Sequence, residues 1–257
     1  MARLDEVVAF LDSELRTGEV PDYDAALNGL QLANAGEVTR VAAAVDFSSR
    51  AVSAAIRERA DLLVVHHGMF WSGAQPIVGT VYERLRAAMD AGLAVYASHL
   101  PLDVHPTLGN NALLARALGL TPDAGFGRYR DITVGVSGAS DVATAELMDR
   151  IRTISARHGT ALVATPVGPG RRTRRWAMVS GAGASSATLT EARESGADTL
   201  IVGEGPHHTA VAAMDSGLCI AYAGHYATET FGVEALAKVL HERFDTPGVF
   251  LDLPTGL

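Results

Sequence analysis

Apolar positions along this chain follow two rhythms. Short continuous apolar runs alternate with stretches in which apolar residues recur three and four apart, the patterns of buried strands and of helices with one buried face. VTRVAAAVDFSSRAVSAAIRERADLLVVHHG, from Val38 to Gly68, reads as strand, turn with paired serines, helix, strand. RRWAMVSGAGASSATLTEARESGADTLIVGEG, from Arg174 to Gly205, reads the same way. Ser48 and Ser49 recur as Ser185 and Ser186, and Ala60 and Asp61 as Ala197 and Asp198, at one constant offset, so the register holds across the unit. A second pair is closer still: MDAGLAVYASHLPLD from Met89 beside MDSGLCIAYAGHYATE from Met214. Each ends a helix at a glycine, runs through a short strand, and finishes on a histidine followed four residues later by a carboxylate.

Strands alternating with helices in duplicate predict an α/β fold of two similar α/β halves related by an internal repeat, each with a largely parallel sheet. The turn-rich stretch TPDAGFGRYRD, residues 121–131, is the expected connection, giving halves of 1–125 and 126–257. The opening MARLDEVVAFLDSEL reads as an amphipathic first helix, with acids too frequent for a secretory signal. No apolar run approaches the about 20 residues needed to span a bilayer, so the expectation is a soluble, cytoplasmic protein without membrane contact.

Composition narrows the function classes. Hydrophobic residues make up 48% of the 257 residues and charged ones 19%, a globular balance. The net charge of −8 argues against a nucleic-acid polymer as main partner, because neutralising phosphates requires a surplus of Lys and Arg. The single cysteine, Cys219, lies in the apolar run GLCIAYA and reads as a small buried hydrophobe.

The chemistry-bearing residues fall at strand ends, where open α/β sheets gather ligands. DLLVV ends in His66, His67 and Gly68; AVYAS in His99, then Asp103; CIAYAG in His225, then Glu229. Neighbours in a strand point to opposite faces, so His66 and His67 share a site only where the strand has broken, which Gly68 eases; otherwise they serve different metals. The spacing of His225 and Glu229 puts both on one face of a helical turn. Imidazoles and carboxylates without thiolate suit two divalent ions of zinc, iron or manganese. Two ions sharing a carboxylate can bring the pKa of a bound water toward neutrality.

At these residues the chain resembles the dinuclear-metal-centre family of Ngg-interacting-factor-like proteins, many of them labelled type 2 GTP cyclohydrolase homologues. The matching motifs are NGLQ at Asn28 to Gln31, HHG at His66, SHLPLD ending at Asp103, GAGASS from Gly181 and GHYATE ending at Glu229. The resemblance implies that His67 and Asp103 hold one metal, His66 and His225 the other, and that Glu229 bridges both. It also implies a toroidal homohexamer. His99 stands beside these ligands as a further ligand, a hydrogen-bond partner, or the catalytic histidine that steadies developing charge. By register His66 and His67 correspond to Gly203 and Glu204, so the repeat predicts one asymmetric metal site between the halves.

The leading functional expectation is a metal-dependent hydrolase, type 2 GTP cyclohydrolase-like, in which water attacks the imidazole carbon of a guanine nucleotide. The rivals are a metal-dependent phosphoesterase and a non-enzymatic, ring-shaped metal-binding scaffold. Weaker features are GAGASS, read as a tight turn before a helix or a phosphate cradle, and Arg171 to Arg175, read as solvated turn charges just before a strand or an anion-attracting patch. His207 and His208 are candidates to approach the cavity, and His105, His158 and His241 read as surface or structural residues.

Overall fold

The computed structural model describes residues Met1–Leu257. The chain is mixed α/β and divides into two compact units, one of Met1–Leu102 with Gly232–Leu253, the other of Asp103–Phe231 with Pro254–Leu257.

The first unit is built on a five-stranded sheet in the order Gly248–Phe250, Val41–Asp46, Leu62–His67, Ala94–Ala97, Gly29–Leu32. The first four strands are parallel and the edge strand Gly29–Leu32 runs antiparallel. The central strands are buried along nearly their whole length, which is why VAAAV and LLVV read as unbroken apolar runs without alternation. Ala42, Ala44, Leu63, Val65, Val95 and Ala97 share a core with Ala51, Val52 and Ala55 of helix Ser49–Arg57 and Ala88 of helix Gly79–Asp90. The first helix, Leu4–Glu14, buries Leu4, Val7 and Leu11 at the spacing its pattern predicts.

The second unit holds a six-stranded sheet in the order Ala124–Tyr129, Ile132–Ala143, Arg172–Val179, Thr199–Val202, Cys219–Tyr222, Val163–Ala164. Alternate residues serve two cores, as the two-residue period of a strand requires. Trp176, Met178, Ile201 and Ala221 pack with Leu114, Leu118, Leu147 and Ile151, while Ala177, Leu200, Val202 and Ile220 pack with Leu189, Ala192 and Ala213. Cys219 is buried in the first of these cores, and burial pushes its thiol pKa up.

Three expectations need correction here. The second sheet is mixed rather than largely parallel, since only its three strands Arg172–Val179, Thr199–Val202 and Cys219–Tyr222 run parallel to one another. The stretch 121–131 is mostly the strand Ala124–Tyr129, paired antiparallel with Ile132–Ala143. Its glycine at position 125 serves close approach rather than a turn, for a Cβ there would lie 2.2 Å from Thr133 Oγ1. The arginine run is not a turn before a strand either: the strand starts at Arg172. Three of its side chains meet local acceptors, Arg172 at Asp141, Arg175 at Asp123, and Arg171 at the carbonyls of Asp198 and Gly217.

Parallel strands end on the same side of their sheet, and the register carries that to the residue. Asp46 pairs with His67 and Val65 with Ala97; Val179 pairs with Val202, which pairs with Tyr222. The loops after each set therefore open together.

Both paired-serine turns cap helices. Ser48 Oγ accepts the Ala51 amide at 3.1 Å, and Ser185 Oγ accepts the Thr188 amide at 3.1 Å while Thr188 Oγ1 accepts the Ser185 amide at 2.8 Å. Ser48→Ala and Ser185→Ala should each cost about 1 kcal/mol of stability in denaturant unfolding. An unchanged unfolding midpoint for either variant would show that its cap is dispensable.

Candidate metal centre

In the first unit three imidazoles are held by the same device. His66 Nδ1 lies 2.9 Å from the Ser98 carbonyl oxygen, His67 Nδ1 2.9 Å from Asp46 Oδ1, and His99 Nδ1 2.8 Å from Asp22 Oδ1. A carbonyl and two carboxylates can only accept, so Nδ1 carries the proton in each ring and the lone pair sits on Nε2. The ligating atoms of His66, His67 and His99 all lie within 4.8 Å of one another, and all three residues are buried. The strand is not broken between the paired histidines: its pairing runs through His67, and the His66 and His67 rings still come within 4.8 Å.

The NGLQ residues fasten the loops that carry these rings. Asn28 Oδ1 accepts the His99 amide at 2.7 Å and its Nδ2 donates to Asp22 Oδ2 at 2.8 Å. Gln31 Oε1 accepts the Met69 amide at 2.6 Å while its Nε2 donates to the Ala26 and Leu27 carbonyls. Gly68 sits where a Cβ would meet Gln31 Nε2 at 2.4 Å and Ala97 Cβ at 2.7 Å, so only glycine admits the clamp. Burial alone would raise the Asp22 pKa, but hydrogen bonding and charge from His99, with bonds from Asn28 and the Tyr23 amide, hold it below the usual carboxylate value. Asp22 is therefore an ionised anchor for His99.

In the second unit Asp103 ends the short helix Leu100–Asp103 and is buried. Its Oδ1 accepts from Asn110 Nδ2 at 2.9 Å and from Ser180 Oγ at 3.3 Å, and the Ser180 amide is held in turn by Asn111 Oδ1 at 2.8 Å. His225 opens the helix His225–Phe244 and Glu229 lies one turn on, with His225 Nε2 3.0 Å from Glu229 Oε2. On the other side of the ring, His225 Nδ1 is 2.8 Å from Glu204 Oε1. GAGASS forms the wall of this pair: Gly181 lies directly against the carboxylate, and the helix start behind it is capped by Ser185 and Thr188.

The positions expected from the sequence thus lie at strand ends and on one helical turn, with His66, His67 and His99 gathered in one unit and His225 and Glu229 side by side in the other. Sequence reasoning did not find Asp22, Asp46, Glu204, Asn110, Asn111 or Ser180. Asp46 had a signal, a lone acid ending an apolar strand, and so did the consecutive Asn110 and Asn111, both buried at a helix start. Asp22 had none. His207 and His208 are exposed at the start of helix His207–Asp215. His105 Nδ1 accepts the Leu108 amide at 3.0 Å, a turn bond consistent with a structural role.

The donor set fits divalent metal ions. It supplies oriented imidazoles and buried carboxylates without thiolate, and each imidazole is backed by an acceptor of the kind that raises ligand basicity and fixes ring orientation.

Two outcomes follow. At Gly181, φ is +62° and a Cβ would lie 2.1 Å from Glu229 Oε1, so Gly181→Ala should displace the carboxylate and weaken zinc binding by about 10- to 100-fold in a competition titration. The His225 pKa reflects burial, which lowers it, overcome by bonds and charge from Glu229 and Glu204, which lift it to about 9. A raised folded-state pKa means the native chain binds more protons, so this contribution to stability is complete below about 6.5 and lost as pH rises through about 9. The melting temperature of metal-free protein should fall across that window more in the wild type than in His225→Gln.

Comparison with known proteins gives this chain relatives. The Duf34/NIF3 (NGG1p interacting factor 3) family profile matches residues 2–253. The chain is 40% identical to a protein of Deinococcus radiodurans named GTP cyclohydrolase 1 type 2 homolog, over 98% of this chain and 94% of that one. A protein of the same name from Archaeoglobus fulgidus is 40% identical, over 99% of each. Among solved structures, TTHA1606 from Thermus thermophilus aligns with a TM-score of 0.86 and 38% identity over the full length of both chains. With the family profile covering almost the whole sequence and full-length relatives agreeing, the chain belongs to the Duf34/NIF3 family.

Proposed function

We propose that this chain is a metal-dependent hydrolase of a guanine nucleotide, in which His66, His67, Asp103, His225 and Glu229 hold two divalent ions. The observation that carries the reading is the common anchoring of His66, His67 and His225: each Nδ1 is bound to a carbonyl or carboxylate, the arrangement that prepares Nε2 for a metal. The names of the relatives support the nucleotide as substrate. When bound, the ions supply Lewis acidity and activate water near neutral pH.

The chain's own contribution is positioning and proton handling. Asp22 holds His99 Nδ1–H, so neutral His99 presents Nε2 as a proton acceptor, and the protonated ring can return that proton to a leaving nitrogen. Asn110 and Ser180 bond Asp103, fixing its rotamer. A toroidal homohexamer is part of the proposal, with sedimentation analysis as its test.

His99→Gln should lower turnover by about 10²- to 10⁴-fold while leaving metal content intact, whereas His67→Ala should lose metal. The check is elemental analysis beside release of ring-opened product from GTP. Zinc-, iron- and manganese-loaded proteins that all leave GTP unchanged would remove the cyclohydrolase reading, and a His99→Gln protein lacking metal would make His99 a ligand.

A further inference from the structure

The chain has two tryptophans, and they are treated oppositely. Trp176 is fully buried in the second unit, whereas Trp71 is 37% exposed. Exposure of an indole on a loop is costly in apolar surface, yet this loop is firmly held. The Met69 amide is bound by Gln31, and the Trp71 amide turns back toward the Gly68 carbonyl at 3.4 Å.

The indole lies against the candidate ligands. Its centroid is 4.4 Å from the His99 ring and 4.9 Å from the His67 ring, the latter at only 34°. Tyr23, 52% exposed, stands 6.3 Å away at 87°, forming a second wall nearly perpendicular to the first, and its own ring is 5.9 Å from His99. Tyr23 is placed by its neighbour, since its amide donates to Asp22 Oδ1 at 2.7 Å. One residue, Asp22, thus anchors both the His99 ring and the backbone that carries the Tyr23 wall. A branched aliphatic side chain would serve if the only need were to keep water from the histidines. A broad π-face left partly open to solvent beside them has a further use, since aromatic side chains hold planar rings by stacking.

We propose that Trp71, flanked by Tyr23, is the stacking platform for a planar heteroaromatic ring of the substrate. The inference rests on the hydrolase reading of the same site and names the part of the substrate held beside the donor histidines. Because every nucleobase has a π-face, the platform itself favours planar rings as a class rather than one base.

The test uses intrinsic fluorescence, because the buried Trp176 leaves Trp71 as the indole accessible to a ligand. Zinc-loaded protein is titrated with guanosine 5′-monophosphate and, as a ring-free match, ribose 5-phosphate. Saturable quenching by the nucleotide alone, abolished in Trp71→Leu, is the expected result. In equilibrium dialysis Trp71→Ala should bind the nucleotide roughly 5- to 150-fold more weakly, while Trp71→Phe stays near wild type and both variants keep their zinc. Equal affinity for the two probes, absence of quenching, or a Trp71→Ala protein that loses zinc and nucleotide together would overturn the platform, the last by making Trp71 a support for the histidines. A wild-type chain that binds no metal yet is quenched by the nucleotide would instead overturn the hydrolase reading and leave the platform standing.

Discussion

The bond from each imidazole Nδ1 to a fixed acceptor is what the rest of this site depends on. A histidine at a strand end has two ring nitrogens and a freely rotating ring, and its usefulness as a donor depends on which nitrogen keeps the proton. Here Ser98, Asp46, Asp22 and Glu204 settle that for His66, His67, His99 and His225 in turn. One acceptor is a backbone carbonyl just past a strand, another a side chain at the last position of a strand, so the sheet itself sets the tautomer. The acceptors all belong to the protein, so the fold itself orients the rings, which lowers the cost of ordering them on binding.

The same economy appears in the glycines. Gly68, Gly181 and Gly203 each stand where a Cβ would fall within van der Waals contact of a functional group or of the backbone that carries one. At Gly203 the nearest atoms are the Gly181 carbonyl at 2.5 Å and Thr228 Oγ1 at 2.7 Å, and Thr228 Oγ1 in turn accepts the Gly181 amide at 3.0 Å. The loops after parallel strands are thereby drawn tight enough for short side chains to reach one another. Glu204, in the loop after the strand Thr199–Val202, supplies the carboxylate that orients His225.

Burying polar groups is costly unless they are paired, and the groups that anchor these rings are densely bonded. Asp22 receives bonds from Tyr23, Asn28, His99 and Leu100. In the metal-free chain His225 lies between two carboxylates, whose bonds and charge raise its pKa to about 9 despite its burial. Groups with such strong local demands favour one arrangement of their loops.

Much of this was legible in the residues alone. A continuous apolar run located the strand from Leu62, and apolar spacing of three and four located the helices after Ser48 and Ser185 and the first helix, because burial is a local property of the pattern. Histidines and carboxylates at apolar strand ends, together with the family motifs, marked the donors. The sequence did not disclose that the glycine-rich stretch near residue 125 is a strand, since glycine that permits close packing looks the same as glycine that permits a turn. Nor did it disclose the return of Gly232–Leu253 to the first unit, or the choice of Asp22 to hold His99 from 77 positions away. Those pairings join residues without any shared period or spacing, and only the packed chain, in which each buried donor must find its acceptor, decides them.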